Sequence, residues 1–270
     1  QKVEEEFRRI MEKSEKEVPR KITYKMVKNA LDKMKNKKAG DSSNWKAEWL
    51  KEGGKEMVKS LVTLYNRIEE EGKIPRQWRD TKIKSVHKGG RRENIQHSQR
   101  GIFLANIVLK VYERVKKEQN ESKQDNLSCM QTAGRKNRST IDNIIILNAI
   151  IEEQRKEKKN TYILFTDAEK CFDKLWLKDS LTEMGEIGYG AKDLKMLYEI
   201  NKMSEIVIDT PVGETNKIIV TEVVKQVSIF GPIMCCTTTS RVNTINEKVS
   251  YQYGEVEIGM SVYMDDMSAA

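Results

Sequence analysis

The sequence predicts an α+β fold in which helices pack on a small antiparallel sheet. Three observations predict it. In the first half, apolar residues recur at helical spacing, as in the stripe of Leu61, Leu64, Tyr65 and Ile68. From residue 160 onward, short β-prone runs alternate with helical ones. Two of those runs end in acids, one at Asp167 and one at Asp265 and Asp266.

Taken in order, residues 1–18 are highly charged and helical in pattern. Thr23 can cap a helix over 25–34 with its side-chain oxygen. Residues 35–40 are basic and break at Gly40; a helix over 56–70 then ends before Pro75. Residues 78–86 read as a strand or ribbon with Ile83 and Val86 as apolar points, and Gly89 with Gly90 supplies a hairpin-like turn. Residues 102–115 read as a helix through Leu104, Ile107, Val108, Val111 and Tyr112, followed by a polar loop over 116–124. Ser139 and Asp142 form a capping box for a helix whose stripe is Ile144, Ile145, Leu147, Ile150 and Ile151. Residues 161–166 are expected to form a buried strand, followed by helices over 178–186 and 191–203. Residues 206–208 and 218–224 can pair around the turn at Pro211 and Gly213. Pro232 can open a helix through Val242, Ile245 and Val249, and a strand over 256–263 delivers the last acids.

At 270 residues the chain can bury a real core, as one large domain or two subdomains. A charged fraction of 33% is high but is not a signature of disorder. The net charge of +8 favours a polyanionic partner, although charge also serves solubility. Cys129, Cys171, Cys235 and Cys236 show no CxxC spacing, and only His87 and His97 could join them, so a zinc site is not expected. Reduced cysteines in an intracellular protein are. No run approaches the length of a membrane span. The start carries no signal-peptide core and no initiator methionine, as expected of a fragment or processed product.

The acids carry the chemistry. Asp167 alone could be a helix cap or a loop acid, and Asp265 with Asp266 could lie in an exposed turn. What matters is that apolar runs deliver both groups: Tyr162, Ile163, Leu164 and Phe165 before the first, and Ile258, Val262 and Tyr263 before the second. Two strands that each end in an acid, placed side by side, make a divalent-metal site. Asp167 and Asp265 are expected to be neighbours there. Asp173 either faces the same site or ends the turn after Phe172.

The stretch Phe-Thr-Asp-Ala-Glu-Lys-Cys-Phe-Asp at 165–173 resembles motif A of reverse transcriptases, and Tyr-Met-Asp-Asp at 263–266 resembles motif C. The resemblance implies that Asp167, Asp265 and Asp266 are catalytic and hold metal. The cofactor would be Mg2+, as two ions, or Mn2+ in its place. It also implies that Phe172 is the steric gate against a ribose 2'-hydroxyl; packing in the core is the reading without it. Residues 226–232 read as a loop turning at Gly231 into a helix at Pro232, and they resemble motif B. There Gln226 would position the nucleotide, and Ser228 and Gly231 would touch the template. Val227 stands where the family usually has glycine, a departure that bears on activity rather than fold.

Between residues 76 and 100 eight basic side chains, Arg76, Arg79, Lys82, Lys84, Lys88, Arg91, Arg92 and Arg100, face only Asp80 and Glu93. Interleaved with Trp78, Ile83 and Val86, they suit a cationic ribbon closing over phosphates. The ribbon also resembles the fingers of retroelement reverse transcriptases. Arg100, within Ser-Gln-Arg-Gly-Ile, would be the triphosphate-binding arginine, and Lys88 its companion in preference to Lys84. Residues 36–41 and 131–140 resemble family segments too. Arg135 and Arg138 suit contact with phosphate or template backbone, with helix-end solvation an equal reading for Arg138.

The resemblance spans roughly residues 30–266 and is closest to non-LTR (LINE-type) retrotransposons. It implies a right-hand polymerase with an N-terminal extension over 1–22, fingers over 23–158 and an incomplete palm over 159–270, the thumb being absent. The implied activity is RNA-directed DNA polymerisation, with an RNA template, a DNA primer and dNTPs as partners, no membrane, and a nuclear and cytoplasmic location. An inactive nucleic-acid-binding remnant and an RNA-dependent RNA polymerase are the alternatives.

Overall fold

A computed structural model of the chain describes residues 2–87, 99–168, 171–210, 212–222, 224–225, 228–241, 250–264 and 266–269, and gives only the backbone of Gln99, Arg100, Asp173, Val256, Glu257 and Ala269. Among the described residues the architecture is α+β, with two large helical cores and two main sheets.

Helices α1 (Lys2–Lys16), α2 (Tyr24–Asp32), α3 (Ala47–Glu52) and α4 (Gly54–Glu71) open the chain. Thr23 caps α2 as expected, accepting from Met26 N, and Gly72 ends α4 at φ 63°, the left-handed conformation that favours glycine. A short 3-10 turn, Arg76–Trp78, leads into strand β1 (Thr81–His87), which pairs antiparallel with β2 (Gln99–Leu104). The turn expected at Gly89 and Gly90 lies outside the described residues. The helix expected over 102–115 begins later: Ile102 to Leu104 stay in β2, and α5 runs Ile107–Gln119 under an Asn106 cap, into the stretch read as a polar loop. Pairing with β1 overrides local helical preference there. The aromatic centre of this core is Tyr65, Trp78 and Tyr112, with Tyr65 and Tyr112 ring centroids 5.4 Å apart.

Helix α6 (Thr140–Lys156) carries the full capping box of Ser139 and Asp142. Of its expected stripe, only Ile150 is buried, while Ile144 and Ile145 are exposed. Strand β3 (Leu164–Asp167) is likewise exposed along its length, against the expectation of a buried strand. Phe165 is 69% exposed, and Tyr162 just ahead of the strand 83%, so among the described residues neither face of β3 is covered.

Helices α7 (Cys171–Lys174), α8 (Leu177–Glu186) and α9 (Ala191–Asn201) follow. Strand β4 (Lys202–Thr210) starts where helix was expected to continue through Met203. It pairs antiparallel with β5 (Gly213–Glu214) and, as expected, with β6 (Ile218–Glu222). It also pairs in parallel with β1, which joins the basic ribbon to the later half of the chain. Helix α10 (Gly231–Ser240) opens at Pro232, and the second core gathers Phe7, Leu181, Met184, Leu194, Leu197, Phe230 and Ile233 from α1, α8, α9 and the start of α10. Val242, Ile245 and Val249 lie outside the described residues. The strand expected over 256–263 is divided: β7 (Tyr251–Tyr253) and β8 (Val256–Ile258) form a hairpin, and β9 (Ser261–Tyr263) with β10 (Asp266–Ala269) joins β3 in a sheet of order β3-β10-β9. Among the described residues no helix is long and apolar enough to cross a membrane.

Candidate active site

The last hairpin builds the acid pair. Tyr263 pairs with Asp266, so only Met264 and Asp265 connect β9 to β10. Met264 sits at φ 62°, the left-handed conformation that tight hairpins demand and side chains resist. On its other edge β10 runs antiparallel to β3, with Asp266 directly opposite Asp167. Residues opposite one another share a sheet face, typically with Cβ atoms about 4.5–5.5 Å apart. Both side chains are exposed. The register therefore sets Asp266 against Asp167; Asp265, the expected neighbour of Asp167, lies outside the described residues.

Opposed carboxylates with hard oxygen donors fit a divalent cation, which would offset their repulsion. Among the described residues no cluster of three or more His, Cys, Asp or Glu side chains is gathered. Asp173 is described in backbone only, within α7.

A second loop, ahead of α10, is fixed by buried charged groups. Gln226 and Val227 lie outside the described residues. Ser228 is buried, and its hydroxyl donates to the Glu113 carboxylate of α5, which also accepts from Ile229 N at 3.2 Å. Burial pushes the Glu113 carboxyl up, against the pull of those hydrogen bonds and of Lys225. Lys225 is itself buried and donates to the Arg79 carbonyl at 2.8 Å and the Ile200 carbonyl at 3.2 Å. Burial pushes its ammonium down to about 8. The loop is thus pinned from below by a carboxylate and an amine.

Gly231, also buried, brings this loop to Phe172. A Cβ at Gly231 would lie 2.8 Å from the Lys225 carbonyl oxygen and 3.6 Å from Phe172 Cε1. Phe172 is partly buried against the second core. Next to it, Cys171 Sγ and Cys235 Sγ stand 3.1 Å apart, so α7 and α10 are packed together there.

The basic ribbon is partly neutralised within the molecule. Arg76 pairs with Glu205, and Lys82 with Glu214 and Asp209, all acids of β4 and β5. Lys84 is exposed. Lys88, Arg91 and Arg92 lie outside the described residues, and Arg100 is described in backbone only, opposite Val86. Arg135 donates to the Ser128 carbonyl at 3.0 Å and so ties down its own loop. Arg138 is exposed and sits 3.4 Å from Asp142 at the start of α6.

Sequence reading overlooked Glu113 and Lys225. Glu113 sits in an apolar helical stripe beside Tyr112, where an acid breaks the pattern; that mismatch was the available signal. Lys225 gives none, one lysine among many.

The family model described as reverse transcriptase (RNA-dependent DNA polymerase) matches residues 86–270. A probable RNA-directed DNA polymerase from transposon BS of Drosophila melanogaster is 28% identical over 119 residues, covering 43% of this chain and 13% of that protein. The match thus takes in a small part of that relative's length.

Proposed function

The chain belongs to the reverse transcriptase family, and on that premise we propose that it is the fingers and palm portion of an RNA-directed DNA polymerase of a non-LTR retrotransposon. The observation that carries this reading is the ladder setting Asp266 opposite Asp167 on an exposed sheet face. In the proposed reaction a primer 3'-hydroxyl attacks the α-phosphate of a dNTP and pyrophosphate leaves. Asp167, Asp266 and, from its place in the sequence, Asp265 would hold two Mg2+ ions. Bound there, divalent ions make the hydroxyl a better nucleophile and offset charge on the phosphates.

The chain's own residues orient the reactants. Phe172, set by Gly231, takes the sugar side of the nucleotide and excludes a 2'-hydroxyl. Gln226 positions the nucleotide, and Ser228 and Gly231 of the loop pinned by Glu113 touch the template. Arg100 and Lys88 take the triphosphate. Arg135 and Arg138 border the template path. The hybrid is held by backbone and shape, with little base specificity. A nuclear and cytoplasmic location goes with this reading.

The test is single-nucleotide addition to a poly(rA)/oligo(dT) primer-template. Addition should require Mg2+ or Mn2+, prefer dNTPs to NTPs, and disappear in Asp167→Asn and Asp266→Asn. Addition that survives both substitutions sinks the proposed site. Equal use of NTPs removes the gate role of Phe172. Salt-sensitive binding without any addition favours a nucleic-acid-binding remnant.

A further inference from the structure

The turn that presents Asp266 is gripped by two side chains from distant parts of the chain. Gln131 is fully buried and lies beside β9, where Thr132 N donates to the Val262 carbonyl at 3.0 Å and Val262 N donates to the Met130 carbonyl at 2.9 Å. The segment around Gln131 is therefore tied to the edge of the acid-bearing sheet by a single parallel bridge between Gln131 and Val262.

The Gln131 side chain then continues that pairing around the turn. Its Oε1 accepts from Met264 N at 3.1 Å and from Ala133 N at 3.2 Å. Its Nε2 donates to Thr239 Oγ1 at 3.0 Å and to the Met264 carbonyl at 3.4 Å. Every donor and acceptor of the amide is used, and one face of it reads the Met264 peptide as a neighbouring strand would. Thr239, buried in the last turn of α10, closes the network. Its hydroxyl can donate to the Met264 carbonyl at 2.7 Å or to the Cys235 carbonyl, one turn back, at 2.9 Å.

Met264 is where the chain needs such a grip. It has a side chain at φ 62°, and a residue in that conformation persists only when its surroundings hold it. Asp266 is two residues further on, paired with Tyr263 on one side and Asp167 on the other. Any relaxation of Met264 shifts the start of β10, and with it the spacing of the two carboxylates.

We propose that Gln131 and Thr239 are positioning residues: they lock the Met264 turn, and the locked turn sets the Asp167–Asp266 spacing that a divalent cation requires. This rests on the reading of those carboxylates as the cation site. Its signature is a loss of cation affinity coupled to local loosening of one hairpin.

The test pairs amide hydrogen exchange with Mn2+ binding, the latter followed by the electron paramagnetic resonance of the free ion. In Gln131→Ala, exchange across 261–268 should become at least about tenfold faster while α2, α4 and α5 exchange as before. Mn2+ affinity should fall by about tenfold. Thr239→Val should move both readouts in the same direction, and Thr239→Ser, which keeps the hydroxyl, should restore them; this pair decides the matter if Gln131→Ala does not fold. Unchanged exchange at 261–268 overturns the proposal, because the grip then holds nothing. Faster exchange with unchanged Mn2+ affinity overturns it too, because the grip then positions nothing. Asp167→Asn separates the proposal from the reading beneath it. If that variant binds Mn2+ as the unmodified chain does, the cation site lies elsewhere and both fall, whereas the exchange result still reports the grip on Met264.

Discussion

Asp167 and Asp266 face each other across an exposed ladder, and like charges so placed repel. A cation between them reverses the sign of that interaction. With a chelator at low ionic strength, Asp167→Asn should therefore raise the Tm slightly, by about 1–2 °C. It should also lose the Tm increase that Mg2+ gives the unmodified chain. A Mg2+ titration followed by scanning fluorimetry checks both signs, and equal stabilisation of the two proteins would put the cation elsewhere. Gly231 presents a steric constraint of a different kind. The atom its alanine would meet, the Lys225 carbonyl oxygen at 2.8 Å, is backbone and cannot swing aside as a side chain does. Gly231→Ala is expected to cost about 1–3 kcal/mol in urea denaturation. Because the displaced loop leans on Phe172, the same substitution should raise the KM for dNTPs more than it weakens duplex binding.

Among the elements, the loop before α10 depends most on a partner far away in sequence. Lys225 roots it in the carbonyls of Arg79 and Ile200, and burial lowers the lysine from 10.5 to about 8. The sign follows from proton counting: between those pH values the unfolded chain holds a proton that the folded chain does not, so stability from this group rises with pH across that window. The span corresponds to on the order of 3 kcal/mol. Subtracting the pH–stability curve of Lys225→Met from that of the unmodified chain should expose a rise between about pH 8 and 10.5; a flat difference would show that Lys225 titrates normally. None of this was legible in the sequence, since a buried lysine and a surface lysine read alike. Local signals were legible: the Thr23 cap, the Ser139 and Asp142 capping box and Pro232 at the head of α10 all depend on residues within a few positions of one another. Elements decided by distant pairing were misjudged. Ile102 to Leu104 fit a helical stripe but pair with β1, and Met203 fits the end of α9 but belongs to β4. The two acid-ended runs were legible as neighbours. The pairing of Asp266 with Asp167 was not, because it depends on the length of the turn between β9 and β10, which the acids themselves do not reveal.

Over the molecule as a whole, the charge of +8 is distributed less freely than the sequence suggests. The run of basic residues in the ribbon was visible at once, but the acids that answer it come from β4 and β5, more than a hundred positions later. Arg76 is held by Glu205, which Lys217 also engages at 2.8 Å, and Lys82 lies between Asp209 and Glu214. Neutralised cations release few counterions from a nucleic acid, so the count of basic residues overstates the number of phosphate contacts. Lys84 differs: it is exposed, and among the described residues it has no ion pair. The ribbon should therefore bind an RNA–DNA hybrid with a shallow salt dependence for its charge, and unequally along its length. In fluorescence anisotropy over a salt series, Lys84→Ala should weaken binding several-fold and reduce the slope of log K against log salt by about 0.7–0.9, the share of one lost phosphate contact. Lys82→Ala should weaken binding too, since it uncovers two acids, but should leave the slope within error because no phosphate contact is lost. Both variants change the net charge equally, so a mere dependence on total charge predicts equal slopes. Equal slopes would mean that the field of the whole molecule, not the geometry of its ion pairs, governs binding; a slope that falls only for Lys84→Ala assigns the phosphate contact to that side chain.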